Sequence, residues 1–179
     1  PERRFDQYPF EFSGGMRQRI VIAAALIQRP SLVIADEPTT ALDVPVQAEV
    51  LRTFKAVVQH AGTSLILVTH DLGVVAGTCD EVMVMYAGRV VEHADTPTLF
   101  ATPRHPYTRA LLACRPGLEA SPSARMPTIE GRPPDLGRGE PRGCAFAPRC
   151  PGRHDRCDIE RPALRELAAG HRAACHLAE

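Results

Sequence analysis

The 179 residues suffice for one domain or one and a half, and a hydrophobic share of 44% excludes a disordered chain. Twenty-one basic residues balance 21 acidic ones, so the chain has no nucleic-acid footprint, which needs a basic excess or stripe. The longest apolar run, Ile20 to Ile27, falls far short of the ~20 residues of a spanning helix, and no run has the pattern of a signal peptide.

Pro1 to Phe12 is polar and aromatic without a period and reads as a loop or short helix. Because a motif follows within the first fifteen residues of a chain that begins at Pro1 rather than Met, a truncated chain is expected. Ser13 then precedes Gly14-Gly15 and a helical stretch, Met16 to Gln28, stopped by Pro30. Serine is a good N-cap, the glycines allow close approach of a ligand, and a helix start with unpaired N–H groups favours anions. An ordinary capped helix would look the same.

Leu32-Val33-Ile34-Ala35 reads as a buried strand, and Pro38 forbids its continuation, so Asp36 and Glu37 are placed at its carboxyl end. Ligands of open parallel sheets bind there, and two adjacent acids suit phosphate chemistry: one for Mg²⁺, one for a water. Asp43 can cap a helix with Pro45 in its first turn, running to about His60 and ended by Gly62. Val46, Val50, Leu51, Phe54, Val57 and Val58 follow helical spacing and form its buried face. Ser64 to Thr69 is a second buried strand, ending at His70-Asp71, and Leu72 to Ala76 a short helix. Glu81 to Tyr86 and Arg89 to His93 flank Ala87-Gly88 as a hairpin. Pro97 to Ala101 is helical, a further helix begins at His105, and Arg115 to Gly143 is a linker or extended arm rich in Pro, Gly and Arg.

Phe12-Ser13-Gly14-Gly15-Met16-Arg17-Gln18-Arg19, followed at close range by Leu32 to Asp43, resembles the signature motif, Walker B strand and D-loop of an ABC-transporter ATPase. The segment ending at His70 resembles the switch histidine of the same family. The HPYTRALL segment from His105, then a Pro-rich stretch and a Cys-rich tail, is similar to the oligopeptide/dipeptide branch of ABC importers, to which nickel importers also belong. The fold implied is α/β: the C-terminal part of a P-loop ABC ATPase domain, with a mostly parallel sheet and flanking helices, over residues 1–104. An irregular Cys-rich extension over 105–179 follows.

The resemblance implies ATP and Mg²⁺ as cofactors, held between two ATPase subunits. Ser13, Gly14, Gly15 and Gln18 would contact nucleotide bound mainly by a partner. Asp36 would bind Mg²⁺, Glu37 would be the general base or position the water, His70 would hydrogen-bond the γ-phosphate, and Asp43 would link the two sites. The implied partners are a second ATPase subunit, identical or not, membrane permease subunits and, indirectly, an extracytoplasmic substrate-binding protein, with no nucleic acid. The implied location is peripheral, on the cytoplasmic face of the inner membrane. One departure matters. A phosphate loop needs Gly-x4-Gly-Lys-Ser/Thr, and the chain's one lysine, Lys55, lies inside a predicted helix, so Walker A is absent. Roughly the first half of the ATPase domain is therefore expected to be missing, and the chain alone is expected neither to bind ATP tightly nor to hydrolyse it.

Cys144, Cys150, Cys157 and Cys175 lack the close pairs of common zinc sites, and a reducing cytosol disfavours disulfides. Four thiolates can hold an iron–sulfur cluster, and the resemblance implies a [4Fe–4S] cluster, with zinc second and unmetallated cysteines as the plain alternative. His154, His171 and His176 are spare ligands, while Cys79 and Cys114 are expected to be structural. Two other readings compete: a DNA- or chromosome-associated ABC-type ATPase, and a non-catalytic metal-binding fragment.

Overall fold

The computed structural model describes residues 4–40, 42–114 and 127–178. Ala41 of the D-loop-like stretch and 115–126 of the expected arm fall outside the described residues. The chain forms two compact units, Pro1–Thr78 and Cys79–Glu179.

The first unit is a βαβ unit with one helix ahead of it. Helix α1 (Gly14–Leu26) precedes β1 (Leu32–Asp36), α2 (Val44–Ala61) crosses over, and β2 (Ser64–Val68) pairs parallel with β1, Leu32 opposite Ser64 and Asp36 opposite Val68. Pro45 opens α2 in its first turn, and Gly62 closes it in the left-handed conformation (φ 64°) that only glycine adopts cheaply. Helix α3 (Leu72–Thr78) follows. One face of β1 and β2 meets the helices in a core of Ile22, Leu26, Val33, Val50, Phe54 and Val58. Of the expected face of α2, Val50, Leu51, Phe54 and Val58 are buried, but Val57 is half exposed, because the apolar stripe is wider than the surface it packs on. The other face of the strand pair is open: Leu32, Ile34, Ile66 and Val68 are 45%, 65%, 47% and 47% exposed. The strands, apolar on both faces, are thus covered on one.

The second unit is built on an antiparallel sheet of order β3-β4-β6-β5. Strands β3 (Glu81–Tyr86) and β4 (Arg89–Asp95) turn at Ala87 and Gly88, both at positive φ (49° and 76°), as a two-residue hairpin requires. Helices α4 (Thr96–Ala101) and α5 (Pro106–Ala113) follow. The tail returns as α6 (Asp155–Ile159), β5 (Arg165–Ala168) and β6 (His171–Ala173), with Glu92 of β4 opposite Ala173. The mostly parallel sheet expected is not what the described strands form. Only β1 and β2 are parallel, since the tight turns joining β3 to β4 and β5 to β6 impose antiparallel pairing. Nor is the extension irregular throughout, because its last strands complete the hairpin's sheet.

Glu92, fully buried, fixes this arrangement. It accepts from the backbone N–H of Arg104 (2.6 Å) and His105 (2.9 Å) and from His171 Nε2 (2.8 Å). His105 caps α5, its Nδ1 accepting from the Tyr107 N–H at 3.0 Å, and burial lowers its pKa to about 4. It is therefore neutral and available as an acceptor at neutral pH. Tyr107 packs on Tyr86 and Phe146. Arg149 anchors the arm, donating to the carbonyls of Ile129 (2.9 Å) and Glu130 (2.8 Å) and to Tyr86 Oη (3.3 Å).

Candidate functional site

The acid doublet ends β1 as the sequence predicts. Asp36 is the strand's last residue and exposed. Glu37 turns the chain sharply at φ 47°, a left-handed conformation that costs a non-glycine residue about 1–3 kcal/mol. Its backbone is held there by its N–H donating to Val68 O at 2.9 Å, and its carbonyl accepts from Thr40 N at 3.2 Å. The turn brings its carboxylate to His70, at the end of β2. His70 Nδ1 donates to Glu37 Oε1 at 2.6 Å and the His70 backbone N–H does so at 3.2 Å, while Thr40 Oγ1 donates to Oε2 at 3.2 Å. The hydrogen bond from His70 lowers the Glu37 pKa, and the same bond raises that of His70. Among the described residues, His70 Nε2 has no partner, so one ring nitrogen remains for a ligand.

Asp71 extends this cluster and was not singled out in the sequence. It accepts from the N–H of Gly73 (2.8 Å) and Val74 (3.3 Å) and from Gln47 Nε2 (3.1 Å). Burial pushes its pKa up, but these three donors outweigh burial and leave it lowered. Gln47 and Asp71 tie the end of β2 to the start of α2, while Thr40 holds Glu37 at the end of β1. The adjacency of Asp71 to His70 was the only sequence signal for it.

Ser13, Gly14, Gly15 and Gln18 share the start of α1. Ser13 has the extended backbone of an N-cap (φ −63°, ψ 161°), but its side chain does not bond the helix N–H groups, so the expected serine cap is one of position only. The exposed hydroxyl remains available to a ligand. The glycines have a second reason to be small. A Cβ on Gly15 would stand 2.6 Å from Val46 Cγ1, and one on Gly14 3.0 Å from Leu42 Cδ2. Asp43 likewise holds the N-cap position of α2 without a side-chain cap bond and is exposed. Among the described residues, no hydrogen bond joins the α1 start to the Glu37–His70 pair. Lys55 lies in α2, its Nζ reaching Gly77 O at 3.4 Å, where it serves no phosphate loop. The residues present therefore fit part of a nucleotide site: an exposed acid for a cation, a carboxylate for a water and an imidazole, without the phosphate cradle.

The four tail cysteines all line one small cavity of about 10 Å³. Burial pushes the Cys144 and Cys150 thiols up, partly offset by the N–H groups of Phe146 and Ala147 on Cys144 and of Gly152 on Cys150. The Leu177 N–H points at Cys175 Sγ, 3.4 Å away. Yet among the described residues no three His, Cys, Asp or Glu side chains stand close enough to hold a metal ion. The donor chemistry of the [4Fe–4S] expectation is thus present, while its geometry is not. The space enclosed is that of about one water.

Two family models match: the C-terminal region of oligopeptide/dipeptide transporters over residues 91–157, and the ABC transporter family over residues 1–40. The probable peptide ABC transporter ATP-binding protein y4tR of Sinorhizobium fredii is 53% identical over 175 residues, 98% of this chain and 52% of that protein. The oligopeptide transport ATP-binding protein OppD of Salmonella typhimurium is 50% identical over 97% of this chain and 51% of its own length. The chain is similar over nearly its whole length to the ATP-binding proteins of peptide ABC transporters. It spans about half the length of the curated relatives it matches. Among solved structures, CbiO1 from Clostridium perfringens, part of the ABC transporter complex CbiONQ, superposes with a TM-score of 0.52 at 33% identity, over 56% of this chain and 40% of that one. The match at 91–157 gives the family's His-Pro-Tyr signature a physical reading here: His105 caps α5, Pro106 opens it and Tyr107 closes the aromatic cluster.

Proposed function

We propose that this chain is the signature- and Walker B-bearing part of an ATP-hydrolysing subunit that powers peptide import through an ABC transporter. The observation that carries the reading is the 2.6 Å Glu37–His70 contact at the carboxyl end of β1, inside the Walker B and switch segments. Nucleotide with Mg²⁺ supplies the transferable phosphoryl group and the cation that neutralises its charge. Asp36 is the residue to hold the cation. Glu37 orients a water and takes its proton; with its pKa lowered by His70, its contribution rests on position more than basicity. His70 holds Glu37 through Nδ1 and offers Nε2 to a terminal phosphate oxygen. Ser13 and the N–H groups of Gly14 and Gly15 face the nucleotide of a second ATPase subunit, with Gln18 beside them, and Asp43 connects the two sites. Permease subunits, with a substrate-binding protein acting through them, complete the assembly at the cytoplasmic face of the membrane. Relatives named as oligopeptide and dipeptide transport proteins support a peptide cargo.

The test uses a polypeptide carrying these residues together with a lysine-bearing phosphate loop. There, Glu37→Gln abolishes turnover while ATP-dependent dimerisation persists. Near-normal turnover would remove Glu37 from the mechanism, and turnover by the 179-residue chain alone would refute its need for a separate phosphate cradle.

The metallated tail is part of the same proposal. Cys144, Cys150, Cys157 and Cys175 would have to close together and lose their protons to hold a [4Fe–4S] cluster, or zinc as second choice, so loading would release protons and weaken at low pH. Iron and sulfide near stoichiometry with a visible absorption band support the cluster; zinc alone excludes it. In sequence terms, residues 1–104 remain the ATPase-derived part and 105–179 the extension.

A further inference from the structure

The second unit contains a cavity of about 460 Å³ for which nucleotide chemistry has no use. Its size lies within the range of small-molecule sites, roughly 300–1,000 Å³. Buried Tyr86, Val91, Phe146 and Ala174 line it, with the half-exposed Leu164. Two cations, Arg89 and Arg161, complete the wall.

The charges around it do not cancel. Glu140 accepts from Arg89 Nη2 (2.8 and 3.0 Å) and from Arg161 Nη1 (3.0 Å). Two guanidiniums thus share one carboxylate. Glu92 is spent on His171 and two backbone N–H groups, His105 is neutral, Arg149 beside Tyr86 adds positive charge, and burial keeps the Cys144 thiol protonated. Arg89 engages Glu140 through one of its three nitrogens, so N–H donors remain. Glu140 itself shows that a carboxylate fits between the two guanidiniums. We propose that this cavity binds a small monocarboxylate with an aromatic or branched apolar body, its carboxylate on Arg89 and Arg161 and its apolar part against Phe146 and Val91.

The carboxylate can come from a free organic acid or from the C-terminus of a short peptide, and the test separates them. Calorimetric titration of the 179-residue chain uses N-acetyl-L-phenylalanine, its uncharged amide, and the tripeptide Gly-Gly-Phe. The expected result is saturable one-site binding of a carboxylate probe, at least about tenfold tighter than the amide. N-acetyl-L-phenylalanine alone assigns the site to free acids, Gly-Gly-Phe alone to peptide C-termini. Arg161→Gln weakens binding by about tenfold, and Leu164→Trp, which fills the cavity, abolishes it. Glu140→Gln removes the competing carboxylate and tightens binding, a gain that no misfolding can mimic. Equal affinity for acid and amide, no saturation with either carboxylate, or weaker binding in Glu140→Gln would overturn the proposal.

Discussion

The two compact units satisfy their strands in different ways. In the first, two parallel strands carry helices on one face and leave Leu32, Ile34, Ile66 and Val68 of the other in water. In the second, the hairpin β3–β4 gains two tail strands and ties itself down through a carboxylate with no solvent exposure. The chemistry divides along the same line. His70 is exposed and Glu37 half-buried, and the two hold one another. Glu92 and His171 are buried, with 0% and 3% of their side chains exposed, and Glu92 is surrounded by donors, as groups are that must not move. The same pair of residue types thus forms a solvent-accessible contact in one unit and a buried scaffold in the other.

The largest expected effect breaks the scaffold. Glu92→Ala leaves His171 and two backbone N–H groups buried without their acceptor, and each buried donor left unsatisfied costs about 1–3 kcal/mol. Hydrogen exchange should show the amides of β4, β6 and the start of α5 losing protection together, while those of α2 keep theirs. Uniform loss over both units would mean that they do not unfold separately.

Next is Gly15→Ala. Alanine favours a helix by up to about 1 kcal/mol, but the new methyl would stand 2.6 Å from Val46 Cγ1, a stiff β-branched side chain, and overpacking costs about 1–3 kcal/mol. A net loss in urea denaturation is expected, relieved when Val46→Ala is added. If the double variant shows no such relief, the contact with Val46 is not the source of the loss.

These two sites show what the sequence reveals and what it hides. The hairpin was legible because Ala87-Gly88 separates two apolar runs, and α2 because Pro45 and Gly62 mark its ends. Glu37 and His70 were legible as members of a motif. Their mutual contact was not, because it depends on the positive φ at Glu37 and on the parallel register of β1 with β2, neither of which has a local signature. Glu92 was missed altogether: its partners lie 12, 13 and 79 residues away, and a lone Glu in a strand carries no sign of burial. The four cysteines were recognised as a set, but spacing along the chain does not report how far apart the sulfurs stand.

The exposed pair gives a smaller, pH-dependent effect. His70 is raised above its ordinary 6.5, so the contact is intact below that value and lost as pH rises through the raised one. Glu37 is lowered below 4.5, so the contact is intact above that value and lost as pH falls through the lowered one. The pair therefore persists across the interval between the two. An NMR titration of the His70 ring should give a midpoint above 6.5, falling back toward the ordinary value in Glu37→Gln. An unchanged midpoint in that variant would show that the two side chains do not meet in solution.

The smallest effect concerns the open sheet face. Ile34 is 65% exposed, so Ile34→Lys removes little buried surface, and a surface change of this kind alters stability by about 0.5 kcal/mol or less. Val33, its neighbour on the opposite face, is 8% exposed and packs in the core, so Val33→Ala should cost more despite being the milder change. The same lysine interrupts the apolar surface formed by Leu32, Ile34, Ile66 and Val68, and sedimentation should show less self-association at unchanged stability. A loss well above 1 kcal/mol would mean that the face is covered in solution by another copy of the chain. The open face would then be an interface, and the contrast between the units would be one of what covers each sheet, not of whether it is covered.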